Sequence, residues 1–284
     1  MIILLLLIAG SITTWLLVWQ RIATRGTALP YAPRSRVPWR GIDFLVIASF
    51  YVGTQVIAIM AALLIAGVVP NSVDTEEMLH TPGLLLALSL AFFATVVFAT
   101  EWLRWVRAAS AEDLGWGQRS LRADISLGLA GMLAAAAPVY MLQFVMFHLF
   151  PIRHPIIDAL EGNGNTMVFG MAILVTVVAA PVVEEVVFRL VLQGWLEACE
   201  PPWRRRMPQL RRWRRGRLPI VISSTVFAAV HISAGPAPIA LFFLALVLGY
   251  QYQRTHRLLP SIVTHAAFNA TSIIMLALQQ TGAS

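Results

Sequence analysis

The chain has 284 residues, 58% hydrophobic and only 12% charged, with a mean hydropathy of +0.73. A soluble protein carries about twice that charged fraction, and too little polar sequence remains here to coat a soluble surface, which excludes that class. The net charge of +7 would suit a nucleic-acid binder, but all 21 basic residues are arginines and nearly all lie between apolar stretches, so no nucleic acid is expected.

The expected fold is therefore all-α, a polytopic transmembrane bundle of about eight spanning helices. The first candidate, residues 2–19, could be read as a signal peptide. It lacks a basic stretch ahead of the apolar run, and Arg21 and Arg25 follow it instead, so a retained helix is expected. Residues 42–69, 84–102 and 125–150 come next, then 167–196. Residues 219–231 and 238–252 are short by the ~20-residue standard. They are joined by the uncharged Ile232-Ser-Ala-Gly-Pro-Ala237, either a tight turn at the outer surface or a break within the membrane. Residues 260–278 form the eighth candidate.

Charge placement orients these spans. Loops 20–41, 103–124, 197–218 and 253–259 carry five, four, eight and two arginines, all on one side if the spans alternate. The opposite loops hold Asp74, Glu76, Glu77, Asp158 and Glu161 against a lone Arg153. The positive-inside rule makes the arginine-rich side cytoplasmic and leaves both termini outside. The loop Pro201–Arg217, with Trp203 and Trp213, either grips anionic lipid head groups or serves only as a topological anchor. The single cysteine, Cys199, rules out an intrachain disulfide. No solenoid repeat and no nucleotide-binding glycine motif occurs.

Chemistry concentrates in the run Pro181-Val-Val-Glu184-Glu185-Val-Val-Phe-Arg189. A charge at the centre of a spanning helix costs roughly 2.5–3.5 kcal/mol on insertion scales, so three such groups must pair, face a protein interior or do chemistry. Glu185 and Arg189 stack at i, i+4 and can neutralise each other, which reads as a structural ion pair. Glu184 has no partner at that spacing and is free to work. Pro181 loosens the helix ladder just upstream. The next span places His231 after Phe227-Ala-Ala-Val, and the eighth brings His265 and Asn269 to one face at i, i+4. Glu184 and His231 each lie 12 residues, or ~18 Å, from the presumed cytoplasmic ends of their spans. His265 and Asn269 lie five and nine residues in, at ~8 and ~14 Å, so the four can share one layer. His80, His148, His154 and His256 fall in loops or at span ends, where solvation explains them.

In order on successive spans, E-E-x-x-x-R, F-x-x-x-H and H-x-x-x-N resemble the three motifs of the CPBP family of intramembrane proteases. That family includes the CAAX prenyl endopeptidases and bacterial proteins linked to bacteriocin processing and self-immunity. The resemblance covers about residues 120–280 and divides the chain into an N-terminal part, residues 1–119 with three spans, and a protease core, residues 120–284. It implies that Glu184 works with His231 to activate a water, that His265 and Asn269 stabilise the oxyanion, and that Glu185 and Arg189 support them. The chemistry agrees: peptide hydrolysis needs a base for water and donors where charge develops on the carbonyl oxygen.

One glutamate and two histidines could also ligate zinc, but H-E-x-x-H is absent and Asn269 is a poor zinc ligand, so no cofactor is favoured and zinc is the alternative. Readings from other classes are a proton- or solute-coupled transporter, which would usually show inverted repeats, and a non-catalytic membrane scaffold, which has no use for an unpaired buried Glu184. The expected partner is a membrane-associated, prenylated or secreted peptide. A lysine-free, arginine- and alanine-rich chain suggests a high-GC bacterium, and hence the bacterial inner membrane.

Overall fold

The computed structural model describes residues 2–67, 81–116, 120–149, 166–212, 214–232 and 237–282. The acidic loop residues named above, Arg153, His80, His154, Trp213 and residues 233–236 of the joint lie outside this set. Eight helices and no strand occur among the described residues: α1 (Ile2–Arg25), α2 (Gly41–Ala66), α3 (Pro82–Arg107), α4 (Leu121–Leu149), α5 (residues 166–206), α6 (Arg217–Ala229), α7 (Ala237–Thr255) and α8 (Leu258–Gly282). Six of the eight are long and apolar enough to cross a membrane. The exceptions are α6, a shorter apolar helix, and α7, whose last turns carry Gln251, Gln253 and Arg254. The chain is an integral membrane protein built as a helical bundle.

Helix α5 sits at the centre and is touched by α2, α3, α6, α7 and α8. From Val183 to Leu192 its side chains are almost wholly buried, apart from Glu184. This helix is not uniform. It runs Thr166–Ile173 as α, Leu174–Ala179 as π, Ala180–Glu184 as α, Glu185–Gln193 as π and Gly194–Arg206 as α. A π turn closes with i→i+5 bonds, so successive residues rotate through a smaller angle and neighbours stay nearer one face.

Prolines explain two of the interhelical contacts. Pro138 inside α4 cannot donate to the carbonyl of Ala134, and the indole of Trp15 on α1 donates there instead, at 3.0 Å. In α5 the N–H of Ala180 reaches back to Val175 O, and Pro181 has no N–H to give. The Thr176 carbonyl therefore has no donor at either the i+4 or the i+5 position. Asn269 Nδ2 of α8 fills that place at 2.8 Å.

Small residues set the close packing of α4 on α7 and α8. A side chain at Gly131 would collide with Gln251 and Thr264, whose amide and hydroxyl bond the α4 carbonyls of Leu127 and Gly128 at 3.0 and 2.7 Å.

The arginine-bearing helix ends meet at one end of the bundle. Asp43, fully buried, accepts from Arg40 N–H (2.7 Å), Trp102 Nε1 (2.9 Å) and Arg107 Nε (2.8 Å). Arg257 pairs with Asp124. At the same end the α1–α2 linker is strapped across α5 and α7. Trp39 Nε1 donates to Val191 O at 3.0 Å, Ala32 N–H to Arg254 O at 2.8 Å, and Arg34 to the Tyr252 hydroxyl at 2.8 Å. Glu197 gathers Arg34 (3.2 Å), His256 Nε2 (3.2 Å) and Gln193 Nε2 (3.0 Å). Burial works against the Arg34 charge, but Tyr252 and Glu197 beside it outweigh that and raise its pKa above the ordinary arginine value. Solvation is thus not what holds His256, which is buried in this network.

Candidate active site

Three elements bring five of the six singled-out side chains into one cluster. Glu184 and Glu185 come from α5 at the border of its second π segment, where the smaller angular step lets adjacent carboxylates address the same neighbour. His265 of α8 stands between them, with Nδ1 3.2 Å from Glu185 Oε1 and Nε2 3.7 Å from Glu184 Oε2. His231 Nε2 lies 3.8 Å from Glu184 Oε1. Its helix ends earlier than the apolar run suggests, at Ala229, and His231 follows in a tighter turn with its N–H bonded to Ala228 O at 3.1 Å.

Arg189 and Glu185 are both 0% exposed, with Nε and Oε2 3.3 Å apart. That distance makes an ion pair but not an aligned hydrogen bond, for Glu185 Oε2 and Arg189 Nε and NH2 all lack hydrogen-bond partners. The guanidinium is fixed from other directions. NH1 donates to Ser223 Oγ (3.0 Å), which donates in turn to Phe188 O (2.8 Å), and Cζ lies 5.3 Å from the centre of the Phe227 ring.

Phe227, fully buried, is the hub of the site: its ring centre is 4.9 Å from that of His231, 5.8 Å from that of His265 and 5.3 Å from that of Phe188. Sequence reasoning noted Phe227 only as a motif letter and missed Ser223. The signal for both was the i, i+4 spacing of a serine and an aromatic on one face of an apolar helix.

Hydrogen-bond partners fix the imidazole tautomers. His231 Nδ1 is 2.8 Å from Phe227 O, and a carbonyl can only accept, so Nδ1 carries the proton. Glu185, ionised against Arg189, likewise accepts from His265 Nδ1. In their neutral forms both rings therefore turn an Nε2 lone pair toward Glu184. A carboxylate and two lone pairs repel one another, so a proton or a cation placed among them is favoured. Zinc would meet the same need through Glu184, His231 and His265. Among the described residues no group of three such side chains stands at metal-holding spacing as the site is seen here.

Asn269 lies one turn beyond His265, and its amide is directed to Thr176 O rather than to Glu184 or either imidazole. Glu184 is 12% exposed and His231 29%, whereas His265 is 4% exposed. The open side of the site is thus the Glu184–His231 edge.

No curated protein and no solved structure matches the chain. Residues 165–271, which contain all six side chains, match the family model described as type II CAAX prenyl endopeptidase, Rce1-like, so this part of the chain is similar to the CAAX-protease (CPBP) family of membrane endopeptidases.

Proposed function

We propose that the chain hydrolyses peptide bonds of membrane-associated or prenylated peptides, with Glu184 as general base and no metal. The observation that carries this reading is the convergence of His231 Nε2 and His265 Nε2 on Glu184 at 3.8 and 3.7 Å. Both separations exceed hydrogen-bond length, so each group keeps its reacting atom available to a water or a substrate oxygen.

In the proposed cycle one proton rests on an imidazole Nε2 and Glu184 is ionised. Glu184 takes a proton from water as the water oxygen bonds to the scissile carbonyl carbon. The π pair moves onto the carbonyl oxygen, which accepts a hydrogen bond from the protonated Nε2. Collapse of that intermediate breaks the C–N bond, and the proton held by Glu184 passes to the departing amine. Neutral His265 cannot donate through Nε2 while Nδ1 serves Glu185, so an oxyanion role for His265 requires the imidazolium. Asn269 supports the site by holding the Thr176 carbonyl, and retains one amide hydrogen for substrate. Glu185 and Arg189 orient His265.

The same proposal puts the core at residues 120–284, residues 1–119 as N-terminal helices strapped to it, and the chain in a bacterial inner membrane with its arginine-rich ends cytoplasmic and in contact with anionic lipid. Comparative proteomics of membrane fractions holding wild-type or Glu184→Gln protein tests the assignment. New peptide termini are expected with the wild type alone, and Glu184→Gln or His231→Ala should abolish them while the protein still inserts. Undiminished cleavage by either variant would refute the mechanism.

A further inference from the structure

The α1–α2 linker lies outside residues 165–271, yet it grips the far end of the helix segment that carries the two glutamates. Glu184 and Glu185 stand where the second π segment of α5 begins, and that segment ends at Gln193. Turns of this kind are rare and mostly single, so a run of nine residues needs outside contacts to hold its register. At the Gln193 end the backbone bonds are irregular. Gly194 N–H is shared between Arg189 O and Val191 O, and Val191 O takes a second donor, Trp39 Nε1 of the linker, at 3.0 Å. Gln193 Nε2 donates to Gly249 O of α7 (2.9 Å) and to Glu197 (3.0 Å), which in turn holds Arg34 of the linker at 3.2 Å.

Attachment of the strap does not require this reach to α5. Ala32 N–H donates to Arg254 O, Ala32 O bonds His256 Nδ1, and Leu29 O accepts from Arg254 Nε, each at 2.8 Å, so α7 and its end already secure the linker. Trp39 goes further. It is 2% exposed and shares the core cluster of Val183, Val187 and Val191. Gly194 lets it lie against the helix, for a side chain there would meet Trp39 Cζ2 at 3.1 Å and Arg34 NH2 at 3.3 Å.

We propose that Trp39 is a positioning residue for the Glu184 site: by holding Val191 O it fixes the π register of α5, and with it the directions in which Glu184 and Glu185 face the imidazoles. Were the segment to relax into α turns, each residue along it would rotate through a larger angle than its neighbour does now. The two carboxylates would then part, and His265 could no longer stand between them. Asn269 at Thr176 O steadies α5 ahead of the glutamates, and Trp39 steadies it behind them. Arg34 acts one step further out, through Glu197 and Gln193. The N-terminal part of the chain thereby bears on hydrolysis without touching substrate.

This inference rests on the proposed protease reading, and the test separates the two. Full-length wild type, Glu184→Gln, Trp39→Phe, Arg34→Met and Trp102→Phe are compared in proteoliposomes. Amide hydrogen exchange across residues 185–193 is measured on each, beside cleavage of a quenched fluorogenic peptide ending in a farnesylated CAAX sequence. Trp39→Phe keeps an aromatic ring in the core and removes the N–H. It should speed exchange of those amides about fivefold, the scale of one hydrogen bond. It should also lower kcat about tenfold, below the ~100-fold that a 1 Å misplacement can cost, with KM changed less than twofold. Arg34→Met should move both readings the same way by less. Trp102→Phe removes an indole donor to Asp43 at the same end of the bundle but none to α5, and should leave both within twofold of wild type. Unchanged exchange in Trp39→Phe overturns the register role whether or not the protein cleaves, and so do equal effects of Trp39→Phe and Trp102→Phe. Faster exchange with kcat unchanged overturns the link from register to catalysis. Absence of Glu184-dependent cleavage overturns the protease reading and that link with it, while faster exchange in Trp39→Phe would still uphold the hold on α5.

Discussion

The Glu185–Arg189 pair offers the sharpest test of how this site is held. Both side chains are 0% exposed and 3.3 Å apart, without an aligned hydrogen bond between them. Removing one partner leaves the other as an isolated buried charge, which costs about 3–5 kcal/mol. At about 2–4 °C per kcal/mol for a protein of this size class, Glu185→Gln or Arg189→Met should each lower the melting temperature in detergent by roughly 6–20 °C. The double variant Glu185→Gln/Arg189→Met strands no charge and should recover most of that loss. Activity should not recover with it. A neutral amide at 185 orients His265 more weakly than a carboxylate, and outer partners of this kind are worth about 10–100-fold where they have been measured at metal-bound histidines. Thermal unfolding followed by tryptophan fluorescence, paired with the cleavage assay, reads both quantities. Single variants within about 1 kcal/mol of wild type, or a double variant as unstable as the two losses summed, would refute the reasoning.

Two further outcomes follow from the site and its supports. Asn269→Leu and Trp15→Phe each uncover a proline-freed carbonyl and should cost about 1–3 kcal/mol in unfolding experiments. Only Asn269→Leu should also reduce cleavage, because Thr176 lies in the helix that carries Glu184; equal effects of both on cleavage would count against the local role given to Asn269. Incubation with a zinc chelator should leave activity within twofold of its starting value. Loss of activity that zinc restores would replace the base assigned here with a metal site.

Much of this arrangement is legible in the residues alone. Apolar runs and arginine placement locate all eight helices, and the i, i+4 spacing announces the Glu185–Arg189 ion pair and the shared face of His265 and Asn269. Depth counting puts Glu184, His231, His265 and Asn269 in one layer; the first three side chains do meet, while the Asn269 amide turns to Thr176 O. What stays hidden depends on contacts between helices far apart in sequence. Periodicity assumes regular α-turns and so cannot show the two π segments of α5. It marks Pro181 as a disturbance but not the Thr176 carbonyl that the disturbance exposes, nor Asn269 as the group that answers it. The linker clasp of Arg34, Trp39 and Glu197 is equally invisible, since arginines near a span end read first as topology signals.

The prolines of α4 and α5 have a consequence for assembly in the bilayer. Lipid tails are as apolar as leucine, so oiliness gives one span little reason to choose another. A carbonyl stripped of its donor has no such indifference, because hydrocarbon offers it nothing. Ala134 and Thr176 remain deprived until Trp15 and Asn269 dock. Each proline-bearing rod thus advertises for one specific neighbour, and the proposed hydrolytic centre matures only once α8 has found its berth.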